Sequence, residues 1–277
     1  MPAKLRNIRI EKSTNQQPAV NQKKIVGQSR VLGIALFKTM VIGGFQKLTL
    51  IDYPGKLATT VFTSGCSFRC PFCHNPELVV GTTNFASSQN NSEKEFFEFL
   101  KKRKDKLQGV CITGGEPTIQ LDIIEFIKKV KRLGFLIKLD TNGSRSDVLK
   151  KIIDLKLVDY IAMDIKNQPK NYLKTVGIAE TQNFASVLDR VKLSVDLIMN
   201  SRIPYEFRTT VVPGIHTQKD FLEIAKWIKG ARVYWLQKYE ETKILDQNLK
   251  KKTKNKTIDL EKIKEKIEKN FTQMGIR

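Results

Sequence analysis

The sequence predicts an α/β fold, a partial and open (β/α)6 TIM-like barrel, and three observations point there. Short β-rich runs alternate with longer amphipathic runs between residues 57 and 237, the pattern of repeated β-α units around a parallel sheet. Six such units occur, too few to close an eightfold barrel. Each cluster of chemically capable residues follows a strand, where the connecting loops of such folds converge.

The elements follow in order. From Gly43, GGFQKLTLIDYPG reads as a short β-hairpin or strand with turns at both ends, leading into the apolar run LATTVF at 57–62. Ser92 and Glu95 make a capping box for a first helix whose buried face is Phe96, Phe97, Phe99 and Leu100, with KKRKDK at 101–106 as its solvated end. Strand GVCIT (109–113) precedes a helix in which Ile119, Ile123, Phe126, Ile127, Val130 and Leu133 recur at helical spacing, closed by Gly134. Strand FLIKLD (135–140) leads to helix 146–156, VDYIAMDIK (158–166) to a helix near 181–194, and YEFRTTVV (205–212) to helix 217–229. RVYWLQ (232–237) is the last strand, and Ile263, Ile267 and Phe271 mark a final amphipathic helix.

Three segments result: a basic leader over 1–39 that lacks apolar pattern and reads as disordered, a core over 40–249, and a Lys-rich linker with an amphipathic helix over 250–277. Met40 is an alternative natural start, because patterned sequence begins there. The formal charge of +21 resembles a nucleic-acid signal until it is located. Seven of the excess charges lie in residues 1–39 and six in 250–277, which leaves eight for the core, so a nucleic-acid partner is not indicated. No apolar run approaches the ~20 residues that span a bilayer, which predicts a protein without a membrane partner. Four cysteines, three of them packed into eight residues, read as ligands kept as thiolates in a reducing cytoplasm rather than as a disulfide framework.

SGCSFRCPFCHNP places Cys66, Cys70 and Cys73 as C-x3-C-x2-C in a loop directly after a strand. Three thiolates on so short a loop can wrap one face of a metal cluster and leave one corner of a cubane without a protein ligand. A structural zinc site recruiting His74 or Cys111 is the alternative. Cys111 itself sits mid-strand between Val110 and Ile112, where a small buried hydrophobe is expected. In TGGEP (113–117), Gly114 and Gly115 allow a close backbone approach and Glu116 offers acceptors for an ammonium, although Gly-Gly-Glu-Pro is also an ordinary strand-to-helix turn. LDTNG (139–143) and MDIK (163–166) end the next two strands, and polar residues there can serve turns alone. Arg208 lies inside an otherwise apolar strand, where its guanidinium needs a carboxylate, either from a ligand or from another strand-end Asp. His216 is a loop or rim residue without an assigned role.

The C-x3-C-x2-C spacing, with aromatic Phe72 before the last cysteine, resembles the signature of the radical S-adenosylmethionine superfamily, and the resemblance spans about 43–240. It implies that superfamily's partial barrel, a [4Fe-4S] cluster on Cys66, Cys70 and Cys73, and S-adenosylmethionine chelated to the open iron by its amino and carboxylate groups. It further implies that Phe72 packs near the adenine, and that Gly114, Gly115 and Glu116, which resemble the GGE motif, grip the methionine amino group. LDTNG, MDIK and RTTVVPG resemble activating enzymes of glycyl radical enzymes. On that likeness Asp140, Thr141 and Asp164 surround a monovalent cation, Asn142 lies near the ribose, and Lys166 and Arg208 contact the carboxylate. The segments together resemble the activating proteins of anaerobic ribonucleoside-triphosphate reductase. The resemblance thus implies reductive cleavage of S-adenosylmethionine to a 5′-deoxyadenosyl radical, and removal of a glycine Cα hydrogen from that reductase as protein substrate. A flavodoxin or ferredoxin-type protein would give the electron. Only Cys111 remains outside the motif, which rules out an accessory iron-sulfur domain. Two other readings stand: an enzyme of the same superfamily acting on a pterin- or purine-derived ring, and a zinc or nucleic-acid-binding module.

Overall fold

The computed structural model describes residues 40–80, 93–178, 184–241 and 243–277; the leader 1–39 and the capping residue Ser92 lie outside them. One eight-stranded sheet runs through the described chain in sequential order: β1 (Ile42–Thr49), β2 (Ala58–Thr63), β3 (Gly109–Gly114), β4 (Leu136–Thr141), β5 (Tyr160–Asp164), β6 (Tyr205–Val211), β7 (Val233–Lys238) and β8 (Gln273–Ile276). β1 is antiparallel to β2, and every later neighbour pair is parallel. The six expected parallel strands are β2–β7, and of the two forms expected for GGFQKLTLIDYPG the strand is the one formed, as β1, which pairs with β2.

The helices are α1 (Pro76–Val80), α2 (Glu93–Lys102), α3 (Ile123–Arg132), α4 (Ser146–Asp154), α5 (Tyr172–Thr175), α6 (Phe184–Asn200), α7 (Gln218–Trp227), α8 (Asn248–Thr253) and α9 (Leu260–Ile267). Their apolar faces meet the outward residues of the strands. On α3 the fully buried Ile123, Phe126, Ile127 and Val130 follow the 3.6-residue period, and Val110, Ile112, Ile137 and Leu139 are buried on the strands. Each such side chain contributes roughly 1.5–3 kcal/mol by leaving water. β1 joins this layer through Phe45, whose ring lies 5.3 Å from both Phe96 and Phe99 of α2.

Three elements differ from expectation. Ile119 belongs to a 3-10 turn, Pro117–Ile119, and α3 starts only at Ile123, because Glu116 caps that turn by accepting from the Thr118 N–H. The Lys-rich stretch holds α8, with Leu249 and Thr253 buried, instead of an unstructured linker. Phe271 lies beyond the last helix and packs on Tyr234, with ring centroids 4.9 Å apart, and the chain then enters β8 alongside β7. No helix of the described residues is long and apolar enough to cross a membrane.

The inner strand face is polar. Alternation along β4 turns Lys138 and Asp140 inward while Ile137 and Leu139 face the helices, and register brings Cys111 beside Lys138, Lys138 beside Tyr160, and Asp164 beside Arg208. This interior opens at the C-terminal strand ends into the site.

Candidate cofactor site at the strand ends

A cavity of about 390 Å3 lies at the carboxyl ends of β2–β7, within the ~300–1,000 Å3 usual for ligand pockets. All thirteen residues singled out from the sequence line it: Cys66, Cys70, Phe72, Cys73, Gly114, Gly115, Glu116, Asp140, Thr141, Asn142, Asp164, Lys166 and Arg208. Each comes from a strand or the loop that follows it, so strand order and register gather residues up to 142 positions apart, from Cys66 to Arg208.

The cysteine loop is held by backbone bonds from all around it. Ser64 N–H donates to Val41 O, Gly65 N–H to Leu78 O, Arg69 N–H to Val176 O, and Glu116 N–H to Gly65 O, while Asp246 N–H reaches Pro71 O. A loop so fixed brings its three cysteines to the lining of one cavity without help from a metal. Burial pushes the Cys66 and Cys70 thiols up to about 12 and raises Cys73 as well. Burial raises Cys111 in the same way, so the shift alone does not mark a ligand; a bound metal would supply the positive charge that keeps such sulfurs as thiolates. Among the described residues no three His, Cys, Asp or Glu side chains converge on a point that would hold a single ion. Three cysteines of one short loop that line the same cavity fit a cluster, whose iron corners each take a different cysteine. The residues therefore fit a [4Fe-4S] group.

The glycines of TGGEP are required by packing. A Cβ on Gly115 would sit 1.9 Å from the carbonyl oxygen of Gly65, and Gly114, at φ +111°, lies against the Thr63 backbone. The motif docks onto the cysteine loop. Glu116 is completely buried, and its carboxylate accepts from Thr118 N–H (3.0 Å), the Thr118 hydroxyl, the Thr141 hydroxyl (2.7 Å) and Asn142 N–H (2.6 Å). It ties the β3 loop to the end of β4 and to that extent is a scaffold. Asn142 extends the tie: its amide nitrogen reaches Ser67 Oγ at 3.1 Å and the Cys66 sulfur at 3.7 Å, and its oxygen accepts from Ser144 N–H.

Below this lies a charged network. Arg208 Nε donates to Asp164 Oδ1 at 2.9 Å and its two terminal nitrogens to Asp140 Oδ2 at 3.2 Å. Lys166 bonds Asp164 Oδ2 at 2.9 Å, and Lys138 bonds Asp140 Oδ1. Burial pushes both carboxyls up, but Arg208 with Lys138 at Asp140, and Arg208 with Lys166 at Asp164, hold them below the usual carboxylate range. Arg208 thus meets strand-end Asp residues of its own chain. The three residues expected around a monovalent cation are all engaged, since Thr141 also donates to Glu116.

Sequence reasoning left several participants unassigned. His216 is buried; its Nδ1 accepts from Val212 N–H at 3.0 Å, which leaves Nε2 to donate to the Lys166 carbonyl at 2.8 Å, and its ring meets the edge of Phe72 at 6.3 Å. Burial lowers its pKa, consistent with a neutral ring in that tautomer. Gln237 and Lys238 at the end of β7 and Glu240 just after it line the cavity, where no motif announces them. Glu206, 1% exposed, takes a two-pronged contact from Arg277, which stacks on Trp235 at 4.0 Å. A polar residue at an inward position of a strand was the available signal for both.

Comparison with known proteins follows the same path. The profile of the radical SAM superfamily matches residues 60–228, from β2 through α7. A protein of Methanocaldococcus jannaschii named as a glycyl-radical enzyme activating enzyme is 30% identical over 241 residues, covering 86% of this chain and 95% of that protein. The pyruvate formate-lyase-activating enzyme of Clostridium pasteurianum is 28% identical over 202 residues, covering 70% and 79%. Streptococcus suis SuiB bound to S-adenosylmethionine superposes with a TM-score of 0.50 at 16% identity over 77% of this chain; the chain spans about half (48%) of that structure, and the likeness concerns the fold alone.

Proposed function

The chain belongs to the radical S-adenosylmethionine superfamily, whose enzymes use a [4Fe-4S] cluster and S-adenosylmethionine, and we propose that it activates a glycyl radical enzyme, the anaerobic ribonucleoside-triphosphate reductase in particular. One observation carries this reading: a single strand-end cavity unites the three thiols with the LDTNG, MDIK and RTTVVPG residues that resemble activases. Relatives named for glycyl radical enzymes support the general activity, and the extended resemblance over 43–240 supports the reductase as target.

Cys66, Cys70 and Cys73 would hold the cluster. Bound there, cluster and cofactor supply the one-electron cleavage of a sulfonium and a carbon radical able to take a glycine Cα hydrogen. The chain's own residues bind and orient. Lys138, Lys166 and Arg208 oppose the two carboxylates Asp140 and Asp164, and this local excess of positive charge suits the methionine carboxylate. The backbone at Gly114 and Gly115 would take the ammonium, with Glu116 holding that backbone in place. Phe72, pinned against His216, would face the adenine, and Asn142 would set the loop beside the ribose. An open-sided barrel lets a protein loop approach the cavity at Gln237, Lys238 and Glu240, where its glycine could be reached. The electron would come from a flavodoxin or ferredoxin-type donor, in the cytoplasm that four free thiols favour.

The test is made with anaerobically reconstituted protein, reductant, S-adenosylmethionine and an anaerobic ribonucleoside-triphosphate reductase. A glycine-centred doublet by electron paramagnetic resonance is expected, with deuterium passing from glycine Cα of the partner into 5′-deoxyadenosine. Label arriving from a small metabolite, with no radical on any glycyl radical enzyme offered, would overturn the activase reading and leave the superfamily standing.

A further inference from the structure

The structure assigns Lys138 a role outside the recognised motifs: it is a built-in counter-cation for Asp140, and the pocket binds S-adenosylmethionine without sodium or potassium. The inference rests on reading this cavity as an S-adenosylmethionine site, and it sets aside the monovalent cation that the resemblance implies.

Lys138 is among the largest fully buried side chains of the protein, 1% exposed, on the inward face of β4 two residues before Asp140. An ammonium there is expensive to bury unless a carboxylate meets it. Asp140 Oδ1 does, and the Cys111 sulfur lies 3.8 Å from the same nitrogen. The four oxygens of the two carboxylates each have a basic partner: Lys138 and Arg208 on Asp140, Arg208 and Lys166 on Asp164. A bound cation needs such oxygens free and facing it.

Exposure separates these partners. Arg208 and Lys166 stand nearer the opening, with side chains 14% and 17% exposed, and either can turn toward an entering carboxylate. Lys138, at 2% side-chain exposure beneath Asp140, has no such alternative. When Arg208 turns away, Asp140 keeps Lys138 and Asp164 keeps Lys166, so both carboxylates stay neutralised. A further cation between them would meet two ammonium groups in a low-dielectric interior. The surrounding charges point the same way, since Glu206 on β6 is already satisfied by Arg277. Lys138 is thus a positioning residue, acting on the ligand through Asp140.

Two measurements test this, in sodium, potassium or tetramethylammonium chloride at equal ionic strength. In equilibrium dialysis of the cluster-reconstituted protein, S-adenosylmethionine affinity should agree within about twofold across the three salts. Lys138→Met leaves Asp140 Oδ1 bare, and its affinity should fall in tetramethylammonium and recover by about tenfold or more in sodium or potassium. In thermal unfolding without S-adenosylmethionine, the native protein should be indifferent to the cation, whereas the Met variant should be stabilised by sodium or potassium. A saturable sodium or potassium requirement in the native protein, or a Met variant indifferent to the cation in both measurements, overturns the assignment. If Met prevents folding, Lys138→Gln takes its place, and the native-protein comparison decides alone if both fail. Absence of S-adenosylmethionine binding in every salt would refute the proposed function, while the unfolding comparison would still decide the role of Lys138.

Discussion

Replacing Glu116 by Gln separates a scaffold from a ligand contact. The carboxylate accepts three hydrogen bonds on Oε1, from Thr118 N–H, the Thr118 hydroxyl and the Thr141 hydroxyl, and one on Oε2 from Asn142 N–H. Glutamine keeps a single acceptor oxygen. Placed at the Oε1 position it preserves three contacts without their charge assistance, and its NH2 then points at the Asn142 N–H. A buried donor left facing another donor costs roughly 1–3 kcal/mol, and three bonds weakened from charged to neutral cost more, offset by the lower penalty of burying an uncharged group. The sum is a destabilisation of roughly 2–4 kcal/mol. Urea unfolding of the cluster-free protein, followed by circular dichroism, measures it, and S-adenosylmethionine affinity of the reconstituted variant should fall by less than about tenfold. Unchanged stability with a loss of affinity of a hundredfold or so would refute the scaffold argument and make Glu116 a direct grip on the ligand.

Further outcomes follow from the same contacts. Cys66→Ala, Cys70→Ala and Cys73→Ala should each abolish iron retention after reconstitution, whereas Cys111→Ala should keep its iron; loss from Cys111→Ala with retention in Cys73→Ala would show the ligands to be misassigned. Gly115→Ala forces backbone against backbone at the Gly65 carbonyl, so it should lower stability by roughly 2 kcal/mol or more and impair iron retention, checked by iron analysis beside a urea titration. Asp140 and Asp164 hold fewer protons folded than unfolded, so their stabilisation is complete above the ordinary carboxylate value of 3.8 and is lost as pH falls below it toward their depressed values. The stability difference between native protein and Asp164→Asn should therefore shrink as pH falls from about 5 toward about 2, and a difference constant over that range would contradict the depressed value.

Local periodicity determined much of this protein from sequence. Period-2 apolar runs and 3.6-period faces gave the order of β2–β7 and the helices between them, because a strand or helix that buries one face must repeat its apolar residues at its own pitch. The cysteine spacing and the strand-end positions of GGE, LDTNG and MDIK likewise located the site, since a loop after a strand has one place to go. What tertiary structure decided was pairing. Arg208 meets Asp164 and Asp140 across 44 and 68 positions, and Glu116 meets Asn142 across 26, contacts set by strand register, which no local pattern encodes. The same holds for the choice between ligand and neighbour: Asp140, Thr141 and Arg208 read as cofactor contacts, yet each first satisfies a group of its own chain. β8 escaped because four residues, Gln273–Ile276, are too few to show alternation; they become a strand through the open edge of β7 and the packing of Phe271 and Arg277 on Tyr234 and Trp235. Lys138 was hidden for a related reason. A lysine in a strand reads as solvent-facing, and only the tertiary packing over the face of β4 that it shares with Asp140 buries it there.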